Sequence, residues 1–585
     1  MVPRAVFAFV LGTALLLLAC PAHAAIFNIA NGDIIALKNA ITTANANGED
    51  DTIELAANGT YTLTSADNGL NGLPQIGPGG GHKLTIHGNG ATIQRSSAGG
   101  TPSFRIFYLN SLSNVLISAL TIANGGSGMH GAAIYINGES GNATLTLADS
   151  TIINNYGDYG GAIYNDGHGG SATLIVTNCT FSDNLSDNSG GAIYNDGGSG
   201  GSATLTVTGS TFTLNFTNSN DGGAIQHDGS MGSAAGSISN CTFNVNYAPG
   251  DGGAIYVGGQ SGSAALSITN CTFYQNTADG SGTLYNSGSN GIQIVNNIFK
   301  SDGFTQNIVN AAGTITSIGH NLSDDSGSGV LTGPGDRINT NPMLDSAGLQ
   351  SNGGPTQTVA LLLNSPAINA GDDAHAPPRD QRSYLRSGVS DIGAFEFGGT
   401  LAPVSAGSSK THGAAGAFAV DLPLTGTVGI ECRTGGANGV HQLVMPFATP
   451  VTVTGANVSS GTGSVSSFTV TGSQVTVNLT GVADAQQINV MLTSVSDGIH
   501  TNNVNIPMRI LLGDTTANNT VNASDVAQAK SQLGQAVTNS NFRTDANVNG
   551  TINASDVALV KSRVGTSISA AAEGIKLVRD LNSAR

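Results

Sequence analysis

The sequence GGAIYNDG occurs at residues 160–167 and again at residues 190–197, and a GGSAT motif follows each copy. Aligning this motif along the chain brings hydrophobic residues into register about every 30 residues, at Ile134, Ile163, Ile193, Ile225, Ile255 and Leu284. A second motif, a hydrophobic residue followed three positions later by asparagine, has the same period at 152–155, 181–184, 212–215, 243–246 and 273–276. Two independent motifs with one period indicate a repeat protein.

Each repeat combines short β-type segments with a polar loop and a glycine-rich turn. Helical periodicity is absent from these repeats, so they predict a mainly-β fold in which each repeat forms one coil of a right-handed parallel β-helix. Coils stack about 4.8 Å apart, which aligns equivalent residues in ladders. The ladders are expected to place Phe181 beneath Phe212 and to bury Cys179, Cys241 and Cys271 in one column with Ser210.

The amino-acid composition supports a mainly-β fold and argues against some classes of binding partner. Glycine accounts for 82 of 585 residues. Charged residues make up only 10% of the chain, compared with a usual fraction of about 25%. The chain therefore makes many turns and few ion pairs. Its net charge of -17 argues against nucleic acid as a partner, because nucleic acid selects lysine and arginine.

Residues 1–24 have the pattern of a secretory signal peptide, with one arginine, an apolar run and the small-residue site Ala22-His23-Ala24. A lipoprotein signal that leaves an acylated Cys20 is the alternative. Beyond this segment, no apolar run is long enough to span a membrane. The sequence thus predicts an exported protein that is extracellular or attached to the cell surface, without a transmembrane segment.

We expect the β-helix to occupy residues 25–400 and to begin with a helical cap. The open sheet edge at the end of a solenoid has to be covered. Residues 33–45 offer a helix for this purpose, because four apolar residues have spacings compatible with one helical face: Ile35, Leu37, Ala40 and Ile41.

Two parts of this region resemble known families. The GGA[ILV] and FxxN motifs of residues 26–300 resemble the repeats of polymorphic outer-membrane and adhesin-like β-helix proteins. Residues 337–396, which contain SPAINAGD and DIGAFE, look like a choice-of-anchor Q segment, and this resemblance implies a segment that closes the β-helix. The charged residues of this segment predict an ion-pair network that fixes the last coil: Arg379, Asp380, Arg382, Arg386, Asp391 and Glu396.

Catalysis on the β-helix is a second hypothesis. A lyase acting on uronates is disfavoured, because the chain has no lysine or arginine between Arg105 and Lys300. Stacked Asp166, Asp196 and Asp228 would offer the two carboxyl groups that a polysaccharide hydrolase needs. Each precedes glycine, however, and Asp-Gly is a common turn sequence. A turn role is therefore favoured over catalysis, and Ca²⁺ binding by this column is a third interpretation.

Residues 401–510 lack the repeat of the preceding region and have a different sequence pattern. Short β-type segments such as PVTVTG, SFTVTG and QVTVNLTG alternate with glycine-rich turns at regular intervals. This pattern predicts a β-sandwich of immunoglobulin-like size. Such modules more often bind or space than catalyse.

Two related loops begin at Asp514 and Asp545. Each offers oxygen ligands at alternate positions in the EF-hand arrangement around Ca²⁺. Gly550 supplies the sharp turn of the second loop, and Asn519 takes its place in the first. With two carboxylates per site, we expect weaker Ca²⁺ binding than in a sensor EF-hand. The predicted ligands of the two Ca²⁺ ions are Asp514, Thr516, Asn518, Thr520, Asn522 and Asp525 in the first loop, and Asp545, Asn547, Asn549, Thr551, Asn553 and Asp556 in the second.

A helix-like segment with the sequence NASDVAxxxKS follows each loop, and residues 511–568 resemble a type I dockerin. The resemblance implies docking on a cohesin-like domain, as in polysaccharide-degrading assemblies. Because the copies are nearly identical, it also implies that either face could bind. The partner-facing residues it implies are Ala523, Ser524, Lys530 and Ser531 in one copy and Ala554, Ser555, Lys561 and Ser562 in the other. Residues 569–585 are left as a C-terminal tail.

The sequence favours an exported surface or adhesion-type β-helix protein without catalytic activity, assembled or attached through a Ca²⁺-dependent dockerin-like module. A carbohydrate or a cell-surface molecule is the ligand class expected for the β-helix. The alternative is an extracellular polysaccharide hydrolase that the dockerin carries.

Overall fold

The structure, a computed structural model, describes residues 24–78, 81–126, 128–289 and 291–568. The predicted C-terminal tail and all but the last residue of the predicted signal peptide lie outside these ranges. The described chain forms a parallel β-solenoid, a β-sandwich and a small unit with two helices, which confirms the predicted mainly-β fold class. Within these ranges, no helix is long and apolar enough to cross a membrane.

Three parallel sheets run along the solenoid. The strands of the largest are Ile26–Ile29, Asp51–Leu55, Thr60–Leu63, Lys83–Arg95, Asn114–Ala123, Asn142–Ala148, Thr151–Ile153, Ser171–Thr177, Thr180–Ser182, Ser202–Thr208, Thr211–Thr213, Ser233–Ser239, Thr242–Asn244, Ser263–Thr269, Thr272–Tyr274, Gly291–Val295, Ile298–Lys300, Ile315–Gly319 and Leu322–Ser323. The second contains Phe107–Leu109, Ile134–Asn137, Ile163–Asp166, Ile193–Asp196, Ile225–Asp228, Ile255–Gly258, Leu284–Ser287 and Ile308–Ala312. The third contains Tyr156–Gly157, Leu185–Ser186, Phe216–Thr217, Tyr247–Ala248 and Thr277–Ala278.

Ladders of equivalent residues fill the solenoid, as the period predicts. Ile163 pairs with Ile134 on one side and with Ile193 on the other, and all three are fully buried. Phenylalanines stack beneath one another from Phe181 to Phe299, with ring centroids 4.8 to 4.9 Å apart. The predicted cysteine column is buried as well, and its thiols are free.

The asparagines of the second motif form a buried ladder next to the phenylalanines. Asn215 Nδ2 donates to Asn246 Oδ1 at 3.0 Å and to the Phe181 carbonyl at 3.0 Å. Asn184 Nδ2 makes the equivalent contact to Asn215 Oδ1 at 2.9 Å. Because water does not reach these positions, the asparagine amides satisfy backbone groups that would otherwise lack partners.

One coil departs from the repeat, and two changes compensate each other. His227 points inward at the position of Asn195 and is fully buried. Room for its ring exists because Gly236 replaces the leucine of the neighbouring coils, Leu205 and Leu266. A Cβ on Gly236 would lie 3.0 Å from the imidazole Cε1 of His227. The histidine therefore fills the space that the missing leucine leaves.

The predicted cap is helix α1, Ile34–Asn47, which begins at the N-cap Asp33 and ends at the left-handed Gly48. Its buried residues join the core of the solenoid: Leu37, Ala40, Ile41 and Ala44. The expectation for Ile35 is wrong, because this side chain is 74% exposed. Residues two positions apart lie about 200° apart around a helix, so Ile35 and Leu37 face opposite sides.

The segment predicted to close the solenoid packs along its side. The Gln381 side chain contacts Thr211 and Thr242, while Asn270 donates to the Asp391 and Gly393 carbonyls. The segment contains the antiparallel pair Leu344–Gln350 and Thr358–Leu361 and the short 3₁₀ turn Gly327–Gly329 precedes it.

The charged residues of this segment form buried ion pairs, and their contacts with the solenoid extend to coils before the last one. Arg382 pairs with Asp380 at 2.6 Å and Arg386 with Glu396 at 2.9 Å. Arg386 also donates to Asn240 Oδ1 at 3.0 Å, in the coil that contains the strands Ser233–Ser239 and Thr242–Asn244. The network therefore holds the returning segment against the side of the solenoid.

Two antiparallel layers form the sandwich. One contains Gly407–Thr411, Ala417–Asp421, His441–Pro446, Ser464–Thr471 and Gln474–Thr480. The other contains Ile430–Glu431, Gly455–Ser460, Gln486–Ser496 and Thr501–Ile510, and within it Ile430–Glu431 runs parallel to its partner. Short 3₁₀ turns occur at Gly413–Ala415 and Phe542–Thr544. Helices α2, Ala523–Ser531, and α3, Ala554–Ser562, pack together in the C-terminal unit.

Candidate calcium-binding docking site

Each candidate Ca²⁺ loop leads into a helix through the same cap. Asn522 accepts from the Ser524 amide at the start of α2, and Asp525 completes a capping box by accepting from the Asn522 amide. Asn553 and Asp556 do the same for α3. Carboxylates in the first turn suit the positive end of the helix dipole. The cap therefore fixes the last carboxylate of each loop before any ligand binds.

The first carboxylate of each loop is held by the loop backbone. Asp514 accepts from the Asn518 amide at 3.0 Å and from the Asn519 amide at 2.9 Å. In the second loop, Asp545 accepts from the Asn549 amide at 3.2 Å and from the Gly550 amide at 2.9 Å. The two loops thus wrap around their first aspartate in the same way, as their sequences predict.

The two aspartates of each loop are buried and influence each other. All four side chains are fully buried: Asp514, Asp525, Asp545 and Asp556. Burial raises the pKa of Asp514, and the charge of Asp525 raises it further. Burial likewise raises the pKa of Asp556, with a further contribution from Asp545. Two buried carboxylates that repel each other form a site that a cation would stabilise.

The donor set fits a hard cation. Besides the carboxylates, the predicted ligands are hydroxyl and amide oxygens, and oxygen ligands of this kind suit Ca²⁺. Within the described ranges, no group of three or more His, Cys, Asp or Glu side chains is placed to hold a metal ion. A cation in either loop would therefore also need its neutral oxygens, such as Asn518 Oδ1 and Asn549 Oδ1, which accept from the Thr520 and Thr551 hydroxyls.

The partner-facing residues implied by the sequence lie on two separate copies of the same surface. All of them are exposed: Ala523, Ser524, Lys530, Ser531, Ala554, Ser555, Lys561 and Ser562. Beneath them the helices share one small core with the sandwich, which contributes Ile430. Both surfaces are therefore accessible while the unit stays packed on the sandwich.

The sandwich contacts the second loop directly, which the sequence did not indicate. His412 Nδ1 lies 2.8 Å from Asp545 Oδ2, and both side chains are fully buried. No sequence motif around His412 indicates that it contacts a distant loop. The one relevant signal is the difference between Asn519 and Gly550 at equivalent loop positions.

The aspartates of the solenoid lie in a column on the second sheet. Each carboxylate accepts from the tyrosine hydroxyl of the preceding coil: Asp166 from Tyr135, Asp196 from Tyr164 and Asp228 from Tyr194. Each also accepts from the backbone amide two residues further on: His168, Gly198 and Ser230. Burial raises the pKa of Asp196. These contacts support a turn role for the three carboxylates.

Comparison with family models gives two matches. Residues 512–565 match the Dockerin type I domain. Residues 178–196 and 240–258 match the Chlamydia polymorphic membrane protein repeat. Neither the curated proteins nor the solved structures include a significant match to the chain.

The fold and the matches define a class: a β-solenoid protein that contains polymorphic membrane protein repeats and carries a docking domain. In this chain, residues 512–565 are a type I dockerin domain, which implies a cohesin partner. Type I dockerins generally bind calcium, and the two matches together suggest an extracellular or surface protein.

Proposed function

We propose that the protein is an exported, non-catalytic surface β-solenoid that is assembled onto a cohesin-bearing partner through a dockerin with two Ca²⁺ sites. The observation that carries the proposal is the pair of buried, mutually repelling aspartates that recurs in both loops, at Asp514 with Asp525 and at Asp545 with Asp556. Bound Ca²⁺ would supply the positive charge that these pairs lack. The loops would then hold α2 and α3 in position for docking.

Neutral oxygens complete each proposed site. In the first loop they belong to Thr516, Asn518, Thr520 and Asn522, and in the second to Asn547, Asn549, Thr551 and Asn553. The non-catalytic role of the solenoid is supported by the tyrosine and backbone hydrogen bonds that occupy Asp166, Asp196 and Asp228.

Calcium binding can be counted by calorimetric titration of residues 25–585. We expect two sites in the parent chain and one in each of the variants Asp514→Asn and Asp545→Asn, because each removes one carboxylate from one loop. Asp421→Asn, an exposed change in the sandwich, is the matched control and should keep both sites. No binding at millimolar Ca²⁺ would contradict the proposal.

The docking faces can be tested with the same chain and a panel of type I cohesin domains. Ala523→Arg and Ala554→Arg each block one face, so either variant alone should still be captured, whereas the double variant should not. Ala437→Arg changes an exposed sandwich alanine and should have no effect. Capture should disappear when a chelator removes Ca²⁺. Capture of the double variant, or capture in chelator, would refute the proposed docking surfaces or their dependence on Ca²⁺.

A further inference from the structure

The contact between His412 and the second loop has a defined direction. His412 Nδ1 faces Asp545 Oδ2, and its other nitrogen, Nε2, lies 2.9 Å from Arg433 Nη1. A guanidinium only donates hydrogen bonds, so Nε2 has to accept. The ring hydrogen then resides on Nδ1 and is donated to the Asp545 carboxylate. The tautomer of His412 thus follows from the partner on its other side.

Arg433 is itself fixed by the sandwich. Its guanidinium makes two hydrogen bonds to Glu431, at 2.8 and 2.7 Å, and donates to the Ser408 carbonyl at 2.7 Å and the Phe418 carbonyl at 2.8 Å. Arg433 and Glu431 are both buried. The chain of contacts from Glu431 through Arg433 to His412 therefore ends on Asp545, the first proposed ligand of the second loop.

The backbones of the two modules also approach closely at this loop. A Cβ on Gly550 would lie 2.7 Å from the His412 carbonyl oxygen, and one on Gly413 would lie 2.5 Å from the Asn549 carbonyl oxygen. Both glycines have positive φ angles, of 88° and 48°. Glycine at this position of the second loop is therefore a requirement of the contact with the sandwich.

The first loop has no such contact at its carboxylate. In the described chain, the hydrogen bonds to the Asp514 carboxylate come from the Asn518 and Asn519 amides of the loop itself. Asn519 accepts from Arg509 Nη1 at 3.0 Å, so a side chain is accommodated where the second loop has glycine. Two loops with matching ligands thus differ in what supports their first aspartate.

We propose that His412 is a positioning residue of the second Ca²⁺ site. By donating to Oδ2, it fixes the rotation of the Asp545 carboxylate before Ca²⁺ binds. The second loop therefore binds Ca²⁺ more tightly than the first, and its occupancy strengthens the packing of the dockerin on the sandwich. This inference rests on the proposed function, because it requires that the loops bind Ca²⁺.

Calorimetric titration of residues 25–585 tests the inference one loop at a time. Asp514→Asn isolates the second loop, and Asp545→Asn isolates the first. In the Asp514→Asn chain, adding His412→Leu should raise the Kd for Ca²⁺ by about 10- to 100-fold, the usual effect of losing a partner of a metal ligand. His412→Asn, which keeps a donor, should restore part of the affinity. In the Asp545→Asn chain, His412→Leu should leave the Kd of the first loop unchanged.

Two further variants complete the experiment: one is a control, and the other is an alternative way to disrupt the contact between His412 and Asp545. His441→Leu removes another buried histidine of the sandwich and should leave the Kd of the second loop unchanged. Gly550→Asn gives the second loop the residue of the first and displaces His412, so it should weaken the second site even if His412→Leu fails to fold. Thermal unfolding with and without Ca²⁺ should show a smaller stabilisation in both His412→Leu and Gly550→Asn.

The outcomes separate this inference from the proposed function. Absence of Ca²⁺ binding by the parent chain would refute both. Binding at both loops with equal affinity, or a second site that is indifferent to His412→Leu and Gly550→Asn, would refute the positioning role and leave the calcium-dependent dockerin intact.

Discussion

His227 occupies a ladder position that asparagine holds in the two preceding coils, and its environment explains how the coil accepts it. Asn195 Nδ2 donates to His227 Nδ1 at 3.2 Å, so Nε2 carries the hydrogen and donates to the Ala265 carbonyl at 3.2 Å. Burial lowers the pKa of His227 to about 4. The imidazole is therefore neutral at physiological pH. Like the asparagines of the ladder, it accepts one hydrogen bond and donates another, but it fills a larger volume.

A double-mutant cycle tests the compensation between His227 and Gly236. Gly236→Leu alone should lower the free energy of unfolding by about 1–3 kcal/mol or more, because leucine would overlap the imidazole. His227→Asn alone should cost about 1–3 kcal/mol, because the smaller side chain leaves unfilled space beside Gly236. The double variant recreates the asparagine and leucine of the preceding coil and should recover most of the loss. Additive effects in urea unfolding would contradict the compensation.

At the scale of single residues, the sequence predicts the contacts of those residues that recur in every coil. The isoleucine, phenylalanine and cysteine ladders follow from the period, because stacking forces equivalent residues together. His227 and Gly236 lie outside the pattern, and their contact depends on the shape of one coil. Ile35 does not share the buried face of α1, because it lies two residues from Leu37, whereas residues four apart, such as Leu37 and Ile41, share a helical face.

Among the elements, the returning segment shows most clearly what a repeat pattern leaves open. Gln381 Nε2 donates to Thr211 Oγ1 at 2.8 Å and to Thr356 Oγ1 at 2.9 Å, while its Oε1 accepts from Thr242 Oγ1 at 2.6 Å. Thr211 is 170 residues away in the chain. No local signal specifies which coils such a segment will contact, so the sequence does not indicate that it reaches as far back as Thr211.

The packing of the returning segment against the side of the solenoid predicts that Gln381 anchors this segment. Gln381→Ala removes the acceptor of the buried Thr242 hydroxyl and the hydrogen bonds that Gln381 donates to Thr211 and Thr356, and leaving a buried hydroxyl unpaired costs about 1–3 kcal/mol. We expect faster proteolytic cleavage within residues 337–400 and a lower free energy of unfolding. Gln357→Ala, at an exposed glutamine of the same segment, should behave like the parent chain. Equal cleavage rates for the two variants would argue against this anchoring role.

For the whole molecule, the junction between the sandwich and the dockerin depends on buried charges. Burial alone would raise the pKa of Glu431, but hydrogen bonds and the charge of Arg433 outweigh it and lower the pKa to about 2. The ordinary value is 4.5, so the folded state favours the ionised form. The stabilisation is fully present above about pH 4.5 and is lost as the pH falls towards 2.

This shift predicts an acid-sensitive junction. Between pH 5 and pH 2, the Glu431 contribution to the free energy of unfolding should fall by an amount on the order of 3 kcal/mol. Glu431→Gln should be less stable than the parent chain at pH 7 and should lose less stability on acidification. Asp421→Asn, an exposed change in the same sandwich, should follow the parent curve. Parallel curves for Glu431→Gln and the parent chain in denaturant titrations would contradict the assignment.

The loops of the dockerin and their helices are predictable from the sequence because oxygen-bearing residues recur in them at fixed positions. The contact of His412 with one of them was not, because it joins a turn of the sandwich to residues more than a hundred positions later. The symmetry of the sequence therefore predicts two equivalent sites, and the neighbouring module makes them unequal.

The stacking of identical coils also sets how such a chain can change its length. Each coil adds a rise of about 4.8 Å along the solenoid axis and pairs with its neighbours in one register. Removing residues 160–189 would bring GGAIYNDG at 190–197 directly into the place of its first copy, with the same residues meeting the coils on either side. Duplication or loss of whole coils by recombination between such copies would lengthen or shorten the protein in fixed steps without requiring a new core.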